Sequence, residues 1–174
     1  MVQRVCNHTA LLVVGMAIGA ALTAGLHGLT TLPRAHAVAT HGSENFAIAT
    51  GLIDDDMEAL YFLDFLTGDL RGTIVNRRTA AFTSFFEYNI LADFEGIGDP
   101  PRFLMVTGQA DLPQGRAGTQ ISKSLIYIAE ASSGQVAAYV LPYNSTLHAS
   151  GAPQRGTFVK VASGSFRTAF VRDK

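Results

Sequence analysis

The feature that most restricts this chain is an internal repeat. Tyr61-Phe62-Leu63-Asp64-Phe65-Leu66-Thr67-Gly68-Asp69-Leu70 aligns without gaps to Tyr127-Ile128-Ala129-Glu130-Ala131-Ser132-Ser133-Gly134-Gln135-Val136, at an offset of 66. Upstream, Phe46-Ala47-Ile48-Ala49-Thr50-Gly51 aligns to Phe103-Leu104-Met105-Val106-Thr107-Gly108 at an offset of 57. The second copy therefore holds 9 more residues between its first two strands. Each copy reads as strand, Thr-Gly, polar loop, apolar strand, acid-x-x-Thr/Ser-Gly turn, strand, turn, strand. Self-similarity of this kind marks one supersecondary unit used twice.

The turn has a physical basis. Asp64 or Glu130 ends an apolar strand, and its carboxylate can accept hydrogen bonds from backbone N–H groups of the turn. Gly68 or Gly134 supplies the positive φ that a tight hairpin needs. These four residues read as turn-structural.

Eight strands are predicted near Phe46–Thr50, Ala59–Leu66, Leu70–Asn76, Phe82–Tyr88, Arg102–Gly108, Ser124–Glu130, Val136–Pro142 and Thr157–Ala162. They lie between Gly, Asp, Asn and Pro breaks. Ala59–Leu66 is too apolar for a one-sided strand and is expected to be covered on both faces. Lys123–Ala131 reads the same way. Asn89–Glu95 is the only weak helical signal after residue 40. The fold class is all-β, with two four-stranded antiparallel units at about 44–95 and 101–165.

The segments YFLDFLTGDLRGTIV and LIYIAEASSGQVAAYVLP resemble the inner strands of β-propeller blades of the quinoprotein and YVTN type. The whole pattern resembles an uncharacterised family of short exported bacterial proteins. The resemblance implies four-stranded blade-like units and no particular activity. A propeller has typically four or more blades, and this chain has two. Several chains would complete a ring, or the two units would pack as a sandwich, or a partner would cover them.

Residues 1–37 read as an export signal. Met1–Thr9 carries one arginine and no acid, and Ala10–Leu26 is apolar or small throughout except for Thr23. Pro33 and the small-x-small site Ala35-His36-Ala37 follow. The alternative is an uncleaved anchor formed by residues 10–26. Either way residues 38–174 are expected outside the cytoplasm, in the periplasm, the cell envelope or the medium. Cys6, the only cysteine, would leave with a cleaved leader. The remainder has 11 basic against 14 acidic residues, a mild net charge of −3. That balance disfavours nucleic acid as a partner.

Candidate sites are sparse. Asp54, Asp55, Asp56 and Glu58 form the densest acidic cluster and could hold Ca²⁺ through hard oxygen ligands, although the spacing of a calcium loop is absent. The alternative is a solvated loop. His41 and His148 have no partners at zinc-ligand spacing and read as surface loop residues. Arg77-Arg78 sits in a hairpin turn, and Gly96–Pro101 reads as a linker. Asn144-Ser145-Thr146 fits a glycosylation sequon. Phe82, Phe85, Phe86, Tyr88 and Phe94 form an aromatic segment read as core plus an interface edge. The leading expectation is a non-catalytic exported module that binds itself or an envelope partner. The alternative is a propeller-type hydrolase or ligand-binding protein. Its site would lie on the rim loops 52–58 and 109–123, with Asp111 and Arg116 as further candidates.

Overall fold

The computed structural model describes residues 14–21, 40–98, 100–113 and 120–167. Cys6, the Ala35-His36-Ala37 site, most of the apolar run 10–26, Asp99 and Arg116 lie outside the described residues. The chain divides into two compact units, Met1–Ala37 and Val38–Lys174. In the first, residues 14–21 are helical and exposed. Among the described residues no helix is long and apolar enough to cross a membrane.

The second unit is built of strands: β1 Thr40–Gly42, β2 Phe46–Asp54, β3 Met57–Asp64, β4 Asp69–Asn76, β5 Ala81–Asn89, β6 Phe103–Gln109, β7 Gln120–Ile121, β8 Ser124–Glu130, β9 Gln135–Val140, β10 Pro142–Tyr143, β11 Gln154–Gly156 and β12 Val159–Ser165. One 3₁₀ turn, Leu91–Asp93, stands where the weak helical signal lay, and one short helix covers Ser145–Ser150. The all-β class holds. The sheets are open: a six-stranded sheet in the order β1-β2-β3-β4-β5-β11, a four-stranded sheet β12-β9-β8-β6 and a small β10-β7 pair.

The eight predicted strands fall on β2 to β6, β8, β9 and β12. Three differences have physical causes. The first sheet has six strands where four were expected, because β1 and the short parallel strand β11 add to its two edges. The last predicted strand begins two residues late, since Phe158 leaves the ladder to fill the core at 2 % exposure. The stretch after Tyr143 is a helix and not a loop. Asn144 caps it by accepting the Leu147 N–H at 3.0 Å, and Gly151 ends it at φ 76°.

The strand pairing repeats with the sequence. Phe46 faces Asp64 and Ala49 faces Tyr61 across β2 and β3. The equivalent pairs Phe103–Glu130 and Val106–Tyr127 form across β6 and β8. Tyr61 pairs with Gly72, and Tyr127 with Ala138.

What differs is the face turned inward. The first sheet buries Ala47, Ala49, Tyr61 and Leu63. The second buries Phe103, Met105, Ile126 and Ile128. Those residues are the equivalents of Phe46, Ile48, Leu60 and Phe62, which lie on the outer face of the first sheet. Conversely Leu104, Val106 and Tyr127, the equivalents of Ala47, Ala49 and Tyr61, point outward. One core joins the two sheets: Tyr61, Leu63, Leu70 and Ile74 of the first meet Ile126, Ile128, Tyr139 and Phe158 of the second half. The Thr107 hydroxyl donates to the Thr50 carbonyl at 2.5 Å where the sheets touch. Full burial of each such aliphatic side chain is worth about 1.5–3 kcal/mol.

Candidate functional site

The two acid-x-x-Thr/Ser-Gly turns share one hydrogen-bond pattern. Asp64 Oδ1 accepts the N–H groups of Leu66 and Thr67 at 2.8 and 3.1 Å. Glu130 accepts those of Ser132 and Ser133 at 3.0 and 2.6 Å, and that of Arg102 at 3.4 Å. Gly68 and Gly134 adopt φ 71° and 73°, where a side chain would be strained. Glu130 is fully buried. Burial pushes its carboxyl up, but the Ser133 and Ser132 N–H groups outweigh this and hold it at about 2.

The acidic cluster forms the β2–β3 turn. A register shift between Leu52 and Asp54 turns the strand end. Lys123 Nζ reaches Asp55 at 2.5 Å and Asp54 at 3.6 Å. The Tyr143 hydroxyl lies 3.4 Å from Asp54 Oδ2, and burial, then Asp54, raises it to about 12. Asp54, Asp55 and Asp56 line a cleft of about 360 Å3 with Arg77, Tyr143 and His148. Asn76 holds this end together. Its Nδ2 donates to the His148 carbonyl at 2.6 Å, and its Oδ1 accepts the Arg78 and Thr79 N–H groups. His148 Nδ1 is buried without a hydrogen-bond partner. Burial, and secondarily Arg77, keeps the imidazole below its ordinary pKa.

The structure thus brings Asp54, Asp55, Asp56, Arg77 and His148 to one cleft. Glu58 and Asp111 do not line it. Lys123, which ends the second rim loop, meets the first rim loop directly. Among the described residues no group of three His, Cys, Asp or Glu side chains is arranged to hold a metal ion. The Lys123 ammonium sits against Asp54 and Asp55, two of the carboxylates that could have held Ca²⁺.

The outer face of the six-stranded sheet is the larger feature. Phe46, Ile48, Leu60, Phe62, Thr73 and Phe85 share it, as their pairing partners show. Phe46 and Phe62 stack with ring centres 5.2 Å apart. A groove of about 410 Å3 runs over the backbone at Gly72 and Gly156, between Leu60, Phe62 and Phe85, with Arg71 and Arg155 beside it. The expectation that Ala59–Leu66 is covered on both faces is corrected here. β3 is buried on one face only, and Leu60 and Phe62 are half-exposed. Among the described residues no second layer lies over them. Of the aromatic segment, Phe86 and Phe94 are core, Tyr88 is half-buried, and Phe82 and Phe85 are exposed by 52 % and 50 %.

In the second sheet the outer face is partly roofed. Ala110, Leu112 and Ile121, from the longer loop of the second copy, pack on Leu125, Ala138 and Val140. Leu104, Val106 and Tyr127 stay outside this roof, at 62 %, 54 % and 37 % exposure.

Residue types alone gave no signal for Asp93. Its side chain is buried and accepts from the Tyr139 hydroxyl at 2.8 Å and from Lys160. Burial opposes its charge, yet Lys160, Tyr139 and Tyr88 hold the carboxyl below the usual carboxylate range. It ties β12 and β9 to the linker after β5. The chain matches no protein-family model, no curated protein and no solved structure.

Proposed function

We propose that residues 38–174 form an exported, non-catalytic binding module that docks through the outer face of its six-stranded sheet. One observation carries this. On this outer face Phe46, Ile48, Leu60, Phe62 and Phe85 form an apolar patch beside Arg71, Glu87 and Arg155, and nothing in the chain's described residues covers it. Contiguous apolar surface of this kind marks interaction sites in soluble proteins. We read the domain as two four-stranded blade-like units, β2–β5 and β6–β8–β9–β12. The shared pairing registers and the twin turns support that reading. The leader supports export across a membrane, whether or not it is cleaved.

The test is association. Sedimentation of the purified protein over a hundredfold concentration range is expected to show a multiple of the chain mass. Phe62→Glu, which places a charge at the centre of the face, is expected to return it to a single chain with unchanged circular dichroism. A wild-type protein that stays monomeric and retains no envelope component after purification contradicts the proposal.

A second reading is a ligand or hydrolase site on the rim loops. The Lys123 bridge between them favours it. It ranks lower because the carboxylates already hold a cation and because His148 Nδ1 has no hydrogen-bonded nucleophile.

A further inference from the structure

We propose that copies of this chain stack head to tail, with the outer face of the first sheet of one copy on the outer face of the second sheet of the next. The inference rests on the binding-module reading and specifies its partner and polarity.

The internal interface is the template. Inside one chain, the Ala47-Ala49-Tyr61 face of the first repeat packs against the Phe103-Met105-Ile128 face of the second. These are not equivalent faces of the repeat. They are its front and its back. One front and one back are consumed inside the chain, so one of each remains outside. The remaining back is the Phe46-Ile48-Leu60-Phe62 face of the first repeat. The remaining front is the Leu104-Val106-Tyr127 face of the second.

Composition agrees with this assignment. The buried back, Phe103, Met105, Ile126 and Ile128, is 0–3 % exposed. The outer back is Phe46, Ile48, Leu60 and Phe62, equally large and equally apolar, with Phe46 exposed and the other three partly exposed. Solvent alone gives no reason to keep four large apolar side chains at these positions; a front face packed on them does. The exposed front is also apolar, and its open part lies on β6 and on the start of the β6–β8 pair. That is the correct half. Inside the chain the sheets touch through β2 and β6, at the Thr107–Thr50 hydrogen bond. One step along the stack, β6 takes the place of β2, and β2 of the next copy takes the place of β6. Among the described residues neither strand is roofed there. The described residues of the longer loop, Ala110, Leu112 and Ile121, pack on the far half, over Leu125, Ala138 and Val140.

A contact between two different faces is heterologous. It closes into a ring or extends as a filament, and it does not stop at a symmetric dimer. The front–back rule therefore predicts oligomers larger than two.

Single cysteines test the polarity. In the full-length chain carrying Cys6→Ser, Thr50→Cys and Val106→Cys occupy the outer parts of β2 and β6. The two variants are mixed in equal amounts and oxidised. The mixed 50–106 disulfide is expected to exceed either homodimer by about tenfold, and a Thr50→Cys/Val106→Cys double variant is expected to give a ladder of covalent oligomers. The pair Phe46→Cys with Leu104→Cys repeats the test at exposed positions where folding is not at risk. Predominant 50–50 or 106–106 dimers would overturn the head-to-tail arrangement while leaving self-association intact. Absence of every cross-link from a protein that sediments as a single chain would overturn self-association itself.

Discussion

The two repeats of this protein share residues, turns and pairing register, and they bury opposite faces. Phe103 is 3 % exposed and its equivalent Phe46 is 38 % exposed; Leu104 is 62 % exposed and its equivalent Ala47 is 3 % exposed. The difference teaches that position in the repeat does not decide burial. Stacking order does. A repeat with two apolar faces buries whichever one its neighbour presents itself to. The first repeat meets its neighbour with the Ala-rich front, where small side chains at Ala47 and Ala49 make room for Phe103 and Met105. The second meets it with the bulky back.

Breaking the comparison at its centre gives the largest effect. Ile128→Ala opens a cavity in the shared core and is expected to cost about 3–4 kcal/mol in urea unfolding. Its equivalent Phe62→Ala removes a larger side chain but is expected to cost only about 1–2 kcal/mol, because that side chain is already partly in water and leaves no sealed cavity. Equal losses at the two positions would mean that the outer face of the first sheet is covered in solution even at low concentration.

The twin turns sharpen the comparison at a smaller scale. Glu130 is sealed and accepts three backbone N–H groups, whereas Asp64 is partly exposed and accepts two. Glu130→Gln is expected to cost about 2–3 kcal/mol at pH 7, and Asp64→Asn about 1 kcal/mol. The Glu130 pKa lies at about 2, below its ordinary 4.5. Its stabilisation is therefore complete above about pH 4.5 and is lost as pH falls toward 2. The gap between wild type and Glu130→Gln should close over that window. A gap that persists unchanged to pH 2 would show that the turn holds without the charge.

The smallest effect belongs to the rim. Lys123 and its aspartates are exposed, so Lys123→Met is expected to shift Tm by less than about 2 °C, and by nothing measurable in 1 M salt. A larger shift would make the Lys123 bridge a structural clamp between the rim loops.

The strands were legible because Gly, Asn, Asp and Pro punctuate short apolar runs, and because the repeat fixed the order twice. The class of fold followed from that. The inward face was not legible, since Phe46 and Ile48 alternate with Ala47 and Ala49 and both sets are apolar. The roof over Leu125 was legible only as extra length in the second copy, and its role needed the structure. The cleft could not be read in advance. Arg77, Tyr143 and His148 meet Asp54 only through the packing of distant segments. The His148 helix is too short to show a 3.6-residue period, and its only signals were Asn144 and Gly151 at its ends. Asp93 was hidden because its partners come from β5, β9 and β12, which no local pattern joins.

Thiol labelling tests the inverted burial most directly. Four single-cysteine variants at Phe46, Phe103, Ala47 and Leu104, each with Cys6→Ser, are labelled in dilute native solution. Phe46→Cys and Leu104→Cys are predicted to react rapidly, while Phe103→Cys and Ala47→Cys are protected by at least about a hundredfold. Matched reactivity within the equivalent pairs, with Phe46 and Phe103 alike and Ala47 and Leu104 alike, would contradict the front-to-back stacking of the two repeats.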